Sequence, residues 1–569
     1  MPAPLEGIRV VDRTDSGGEL CGRILADLGA EVLKIEPPEG CAARRRPPFA
    51  RDTGESLWWR AFGRGKRSVV LDLDDPVDQH RYDRLLAGAD VLVQTARGPA
   101  VAALGSSAHE LVAAHQALIV SCITPYGLDG PRAGWPATDL TIEAASGRLM
   151  LQGDADRPPV PMGFPQSGPQ GAGAAASDIV IALYERDRSG RGQVLDTSMQ
   201  VSVTWTLMNA TGYGAVTADD PSSTDERRGE PRPELSPGVA FPGVEQVADG
   251  WVSITPPLLG QVTVDGFSTL IDWVADDGQL PDDLCDRRWG TFLTDIRAGD
   301  VHRDDAGRMV TALRTWLLGQ TKASLHRRAV AERVLVAPVA TGSDLLADPQ
   351  LAARSFWTDR GGVAEAGPWA RLSATPLTDP SPAPALGADQ SLVEPQRVPA
   401  VPADPDRPGR GPVFAGLRVA DLTWAGVGPF ITKALADQGA TTVKVESAAK
   451  PDQMRMVPPY RDGAPALENT HAAPNFNTNK LSLGVDLGTS PGREILHRLV
   501  GWADIVVENM TPGALDRLGI GYADLAGGRP ELIMLSTSLR GQTGPERTYT
   551  GFGQQGAALS GFWSITGWP

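Results

Sequence analysis

The sequence predicts an α/β fold, built from parallel sheets with crossover helices and present twice along the chain. Three observations predict it. A long segment recurs within the chain, each copy opens as strand, helix and strand, and glycine and proline gather in turns and in one connector.

Residues 5–36, LEGIRVVDRTDSGGELCGRILADLGAEVLKIE, recur at 414–446 as FAGLRVADLTWAGVGPFITKALADQGATTVKVE. The match continues with KRSVVLDLDDP from Lys66 against KLSLGVDLGTS from Lys480. ADVLVQTARGP from Ala89 meets ADIVVENMTPG from Ala503, and ALIVSCITPYGLDGP from Ala117 meets ELIMLSTSLRGQTGP from Glu531. Beyond the first segment the offset holds at 414 residues, through Ser146-Gly147 against Ser560-Gly561.

In each copy a short apolar strand (Ile8–Val11, Leu417–Ala420) leads into a glycine-containing loop, an amphipathic helix and a strand ending in Lys-(Ile/Val)-Glu. That order predicts a parallel sheet, and the loop after the first strand lies where such sheets bind ligands. The glycines alone are a weak phosphate signal. Gly426-Val427-Gly428 is not a full GxGxxG, and no Walker A motif is present.

The first copy is expected to form a large domain over 1–215 and a small α+β domain over 225–345, returning to the large domain over 346–375. Residues 217–237 read as a polar surface loop. Prolines dominate 376–412, which predicts an extended linker. The second large domain starts at 413 and, at 569, stops inside the matching pattern.

Composition narrows the function. The chain has 569 residues, too many for one core, and a net charge of -16 that argues against general nucleic-acid binding. Four scattered cysteines with no CxxC fit a reducing cytoplasm, and no zinc-type HExxH spacing occurs among seven histidines. No apolar run reaches the length of a membrane span, and the N-terminus lacks a secretory pattern.

The ordered motifs are Asp421-Leu422-Thr423-Trp424-Ala425-Gly426-Val427-Gly428-Pro429, Thr478-Asn479-Lys480, Val507-Glu508-Asn509-Met510-Thr511-Pro512-Gly513 and Arg517-Leu518-Gly519. The first copy adds Ser189-Gly190-Arg191-Gly192-Gln193 and Asp348-Pro349-Gln350-Leu351-Ala352-Ala353-Arg354. In this order they resemble the family III (CaiB/BaiF-type) CoA-transferases, in a tandem fused form. The resemblance implies a Rossmann-like large domain, a small α+β domain and two interlocked rings. Those rings would come from the two copies of one chain as an intramolecular pseudo-dimer, or from a homodimer. It further implies transfer of coenzyme A from an acyl-CoA to a small carboxylic acid, with no metal. An Asp carboxylate would form a mixed anhydride and then an aspartyl-CoA thioester.

Some residues depart from that pattern. The family's nucleophilic Asp falls at Ser167, and no Asp or Glu lies between Asp156 and Asp178. A serine cannot form the anhydride; its plainer reading is a helix cap. The first copy's loop carries the acids Asp15 and Glu19, Thr95 replaces the family's Asn, and Arg44-Arg45-Arg46 reads as a solvated run or as compensating charge. In the second copy the resemblance implies that Ala425, Gly426, Val485, Asn509, Met510 and Arg517 line CoA, with Arg455 at the family's D-x-x-R position. Taken singly, Asn509 could cap a turn and Arg517 could pair with Asp516. The related racemases' catalytic His is replaced by Thr138 and Phe552, so racemisation is disfavoured.

The expected function is therefore CoA transfer carried by the second copy. Its counterpart of Ser167 falls at about position 581, so the chain is expected to be a fragment and inactive alone. The alternative is a CoA- or acyl-CoA-binding pseudoenzyme or a structural half of a transferase. An NAD-type enzyme is weak, because neither opening loop carries GxGxxG.

Overall fold

The computed structural model describes residues 2–15, 17–153, 157–217, 234–240, 242–257, 260–377, 379–393, 399 and 411–568. It divides into two compact units.

The first unit comprises Met1–Met150, Phe164–Leu207 and Phe356–Val413. Six strands, β1 (Arg9–Arg13), β2 (Glu31–Glu36), β3 (Lys66–Val70), β4 (Val91–Thr95), β5 (Ile119–Thr124) and β6 (Val194–Ser198), form one sheet. Their order is β3-β2-β1-β4-β5-β6, every pairing parallel. Helices α1 (Glu19–Asp27), α2 (Pro76–Ala87), α3 (Ala100–Ala114) and α4 (Ser167–Ser189) connect or cover these strands. Covering both faces is what makes runs such as Val91-Leu92-Val93 apolar throughout. Neighbouring Val10 and Val11 enter opposite cores, the first with Leu25, Ala175 and Ile179, the second with Leu33, Leu86 and Leu92.

The expected linker is described only in part, with residues 378, 394–398 and 400–410 outside the described residues. Its described stretch runs along β3. The Ser68 N–H donates to Asp389 at 3.0 Å, and the Gln390 amide exchanges bonds of 2.9 and 2.8 Å with Val70. These contacts occupy backbone groups that an edge strand otherwise leaves unpaired.

The second unit comprises Leu151–Gly163, Met208–Ser355 and Phe414–Pro569. Its first-copy part holds an antiparallel sheet of β7 (Val244–Val247), β8 (Gly250–Ile254) and β9 (Val336–Pro338), ordered β9-β8-β7. Helices α5 (Gln261–Asp276), α6 (Arg303–Leu317) and α7 (Lys322–Glu332) pack on it around Phe267, Trp273, Phe292 and Leu313. Most of the expected surface loop at 217–237 lies outside the described residues.

The second-copy part is a parallel sheet of β10 (Arg418–Leu422), β11 (Thr441–Glu446), β12 (Leu481–Gly484), β13 (Ile505–Glu508) and β14 (Ile533–Ser536). Its order, β12-β11-β10-β13-β14, repeats that of the first copy. Helices α8 (Val427–Asp437), α9 (Ser490–Trp502) and α10 (Gly553–Leu559) belong to it. At the β14 edge Ile533 and Leu535 are exposed, whereas their repeat counterparts Ile119 and Ser121 are fully buried.

The first copy's small domain shares a hydrophobic core with the second copy: Tyr549, Ala558 and Leu559 join its cluster. The Tyr549 hydroxyl donates to the Val336 carbonyl at 2.8 Å, and Gln350 donates to the Arg540 and Thr543 carbonyls at 2.6 and 2.7 Å. Buried Arg540 bridges Asp348 and Glu546 at 2.6 and 2.7 Å.

Candidate functional site

Beneath the second copy's loops lies a buried ion pair. Asp421, on β10, meets Lys480 at 2.9 Å and accepts from the hydroxyls of Thr423 and Thr432 at 2.5 and 2.7 Å. Burial alone would raise the Asp421 pKa. The attraction of Lys480 and Lys444, with the two threonine bonds, outweighs it and holds the carboxylate below its ordinary range. Lys444 donates to the Thr423 carbonyl at 2.7 Å and pairs with Asp452 at 3.0 Å. The first copy repeats the motif with Asp12, Lys66 at 2.7 Å, Lys34 at 3.4 Å and the Thr14 hydroxyl at 2.6 Å. All of these charges are satisfied within the protein, so the motif shapes the loop rather than meeting a ligand.

Above this base the sheet order reverses between β10 and β13, the place where parallel sheets leave a crevice. Asn509, just past β13, spans the crevice. Its amide donates to the Trp424 carbonyl at 2.7 Å and its oxygen accepts from the Trp424 N–H at 2.8 Å. Ala425 follows at φ 60°, an uncommon conformation for a residue with a Cβ, and its N–H donates to Asp452 at 3.0 Å. Gly426 caps α8. A Cβ on Gly428 would lie 2.5 Å from the Thr423 Cβ and 3.1 Å from the Asn509 amide carbon, so only glycine lets the loop and helix approach this closely.

The structure thus brings Ala425, Gly426, Asn509 and Met510 together at the crevice. The Met510 N–H is fixed by Glu508 at 2.7 Å. Arg517 is exposed at the end of the helix Ala514–Arg517. Two other residues stand behind this group. Arg455 is gripped by Glu446 at 2.6 and 3.1 Å and by Glu468 at 2.9 Å, and Val485 is buried in the core with Ala420 and Leu422. Glu446 also accepts from the Asp452 N–H at 3.0 Å, so Arg455 supports the loop that holds Ala425. A cavity of about 160 Å³ adjoins the crevice, lined by Asn509–Pro512, Ser538, Leu539, Thr550–Phe552, Tyr549 and, from the small domain, Val262 and Leu335. It is smaller than the pockets that usually enclose a whole small-molecule ligand.

The first copy's crevice is held differently. Thr95 takes the place of Asn509, accepting from the Asp15 N–H at 3.0 Å, and buried Glu19 accepts from the Gly17 N–H at 2.7 Å. The arginine run divides. Arg44 forks onto Glu36 at 2.7 Å through two nitrogens, Arg45 bonds the Glu39 carbonyl at 2.7 Å, and Arg46 lies 3.5 Å over the Trp58 ring.

Ser167 begins α4 and is itself held by a carboxylate. Its hydroxyl donates to Asp139 at 2.6 Å and its N–H at 2.7 Å, while the Gln166 N–H donates at 3.0 Å. Asp139 therefore does the capping that sequence reasoning gave to Ser167. No local pattern announces a partner 28 residues away. One turn beyond Asp139, Glu143 is wholly buried, 3.4 Å from Arg148. Burial, opposed by Arg148 and reinforced by the Asp139 charge, pushes its pKa up to about 7. Among the described residues no group of three or more His, Cys, Asp or Glu could hold a metal ion, and no helix is long and apolar enough to cross a membrane.

The sequence profile described as CoA-transferase family III matches residues 5–390 and 414–569. The chain belongs to this family. A probable CoA-transferase of Mycobacterium tuberculosis is 31% identical over 567 residues, covering 97% of this chain, which spans 66% of that relative. The subunit BbsE of a succinyl-CoA:(R)-benzylsuccinate CoA-transferase from Thauera aromatica is 31% identical over 61% of this chain and 82% of its own length. A succinate–glutarate CoA-transferase of Agrobacterium fabrum is 30% identical over 68% and 94%. Among solved structures, a CaiB/BaiF family protein from Brucella suis superposes with a TM-score of 0.57 at 25% identity, covering 69% of this family III chain and 99% of its own.

Proposed function

We propose that the protein moves coenzyme A from an acyl-CoA donor to a free carboxylate acceptor through an aspartyl-CoA intermediate, with the coenzyme held by the second copy. One observation carries this reading. Asn509 clamps Trp424 across the crevice, beside Ala425 and Gly426, and with Met510 it lines the adjoining cavity, into which the thioester end of the coenzyme would extend. Relatives named for succinyl-CoA, succinate and glutarate support acyl-CoA and dicarboxylic acids as the substrate class. An assembly in which the two copies serve as each other's partner is part of the proposal. It is supported by the core that the first copy's small domain shares with the second copy.

Ser167 in place of a carboxylate favours a second reading, in which residues 1–569 bind acyl-CoA without completing transfer. Isothermal titration with CoA and a mass-spectrometric assay of exchange between succinyl-CoA and glutarate separate the two. CoA binding that is weakened by Arg517→Ala, but not by Arg46→Ala, supports the assignment to the second copy. Loss with the Arg46 change alone reverses it. Binding without exchange selects the second reading.

A further inference from the structure

We infer that the cavity beside Asn509 receives a compact, uncharged acyl group, with Ser538 as the hydroxyl that meets the thioester carbonyl oxygen. The inference rests on the coenzyme reading above and narrows its substrate class: one of the two acids exchanged is a monocarboxylic acid.

Space limits the guest. The cavity holds about 160 Å³, close to the roughly 150 Å³ at which an apolar cavity takes in a benzene-sized molecule. It adjoins the crevice through Asn509 and Met510, so a coenzyme held in the crevice carries its acyl end into it.

Charge limits the guest further. Among the described residues no charged side chain lines the cavity, and much of the wall is hydrocarbon from Val262, Leu335, Pro512, Leu539 and Phe552. Two cations stand behind that wall, and both are engaged. Arg540, next to Leu539, bridges Asp348 and Glu546 at 2.6 and 2.7 Å. His326, edge-on to Tyr549, lies 3.1 Å from Glu546. A second carboxylate entering with the acyl group would lose its water and gain no charge partner, a cost that a hydrocarbon end avoids.

The polar side chains of the wall are not equivalent. The Asn509 amide is closed onto Trp424, and the Tyr549 hydroxyl onto the Val336 carbonyl. The Ser538 Oγ is buried and has no hydrogen-bond partner among the described residues. Buried polar atoms are seldom left in that condition, so this one marks where a ligand atom belongs. In the first copy the counterpart Thr124 accepts from the Gly127 N–H at 3.0 Å. In the second copy the matching Gly541 N–H goes to the Ser538 carbonyl at 3.3 Å, leaving the hydroxyl to the cavity. The wall itself also belongs to the second copy, because Tyr549 is buried where its counterpart Trp135 is exposed. One neutral hydroxyl satisfies a carbonyl oxygen but does not offset a carboxylate.

The test compares CoA, benzoyl-CoA and succinyl-CoA by isothermal titration on the whole chain. Benzoyl-CoA should bind about tenfold more tightly than CoA, and succinyl-CoA should gain nothing over CoA. Ser538→Ala should lower the ratio of benzoyl-CoA to CoA affinity by about fivefold. Val262 is 40% exposed at the start of α5, and Val262→Lys should reverse the order of the two thioesters, a gain that misfolding does not produce. Saturation-transfer NMR with the benzoyl and succinyl thioesters of N-acetylcysteamine reads the cavity without the nucleotide. Succinyl-CoA binding as tightly as benzoyl-CoA, in a chain that binds CoA, overturns the inference and leaves the coenzyme reading standing. A response from the benzoyl but not the succinyl thioester, in a chain that binds no CoA, supports the inference and overturns the coenzyme reading. A response from neither, in a chain that binds no CoA, overturns both.

Discussion

Asn509 and Trp424 exchange two hydrogen bonds, 2.7 and 2.8 Å long, across the crevice where the second sheet reverses its order. A single amide side chain thereby sets the distance between the two loops. Asn509→Ala leaves both Trp424 backbone groups without these partners and should cost about 1–3 kcal/mol. Calorimetry should show weaker CoA binding as well as lower stability. Asn509→Asp keeps the acceptor and loses the donor, so its effect should fall between the two.

Gly428 is fixed by space rather than by backbone angle. Gly428→Ala places a Cβ 2.5 Å from the Thr423 Cβ, a contact the loop can relieve only by moving. The expected cost is about 1–3 kcal/mol. CoA affinity should drop while the circular dichroism spectrum stays unchanged. Retained affinity would show that the Thr423–Gly428 contact is not part of the binding surface.

The Asp421–Lys480 pair is buried on both sides, so removing one partner strands the other. Asp421→Asn should destabilise the second sheet by about 3–5 kcal/mol in denaturant unfolding. Asp12→Asn should do the same in the first, where Lys66 stands 2.7 Å away. Replacing Asp421 and Lys480 together with apolar residues should recover much of the loss.

Glu143 makes stability depend on pH. Its carboxyl titrates at about 7 in the fold against 4.5 ordinarily, so the folded chain binds more protons than the unfolded chain between those values. That contribution is therefore fully present below about pH 4.5 and is lost as pH rises toward 7. Glu143→Gln should remove this part of the slope in a series of thermal midpoints. Equal slopes for both chains would show that Glu143 is ionised in the fold.

The sheets were legible because strands buried on both faces read as apolar runs, and the internal repeat supplied each pattern twice. Ala425, Gly426, Asn509 and Met510 could be placed together because they flank two strands that parallel topology makes neighbours. What escaped sequence reasoning is non-local. Arg455 and Arg44 look like available cations, yet each is held by a glutamate at the end of its second strand. Asp139 and Ser167 meet across segments that share no periodicity. The packing of Tyr549 against Val336 joins parts of the chain that belong to different copies.

That last contact sets a timetable for synthesis. Gln350 and Arg540 are 190 residues apart, and Tyr549 and Val336 are 213 apart. At roughly 5–20 residues per second, the small domain leaves the ribosome about 10–40 s before the segment that completes its core. During that wait the apolar surface meant for Tyr549, Ala558 and Leu559 faces water or a chaperone. Slowing elongation between residues 350 and 540 should lower the yield of folded protein more than slowing it earlier.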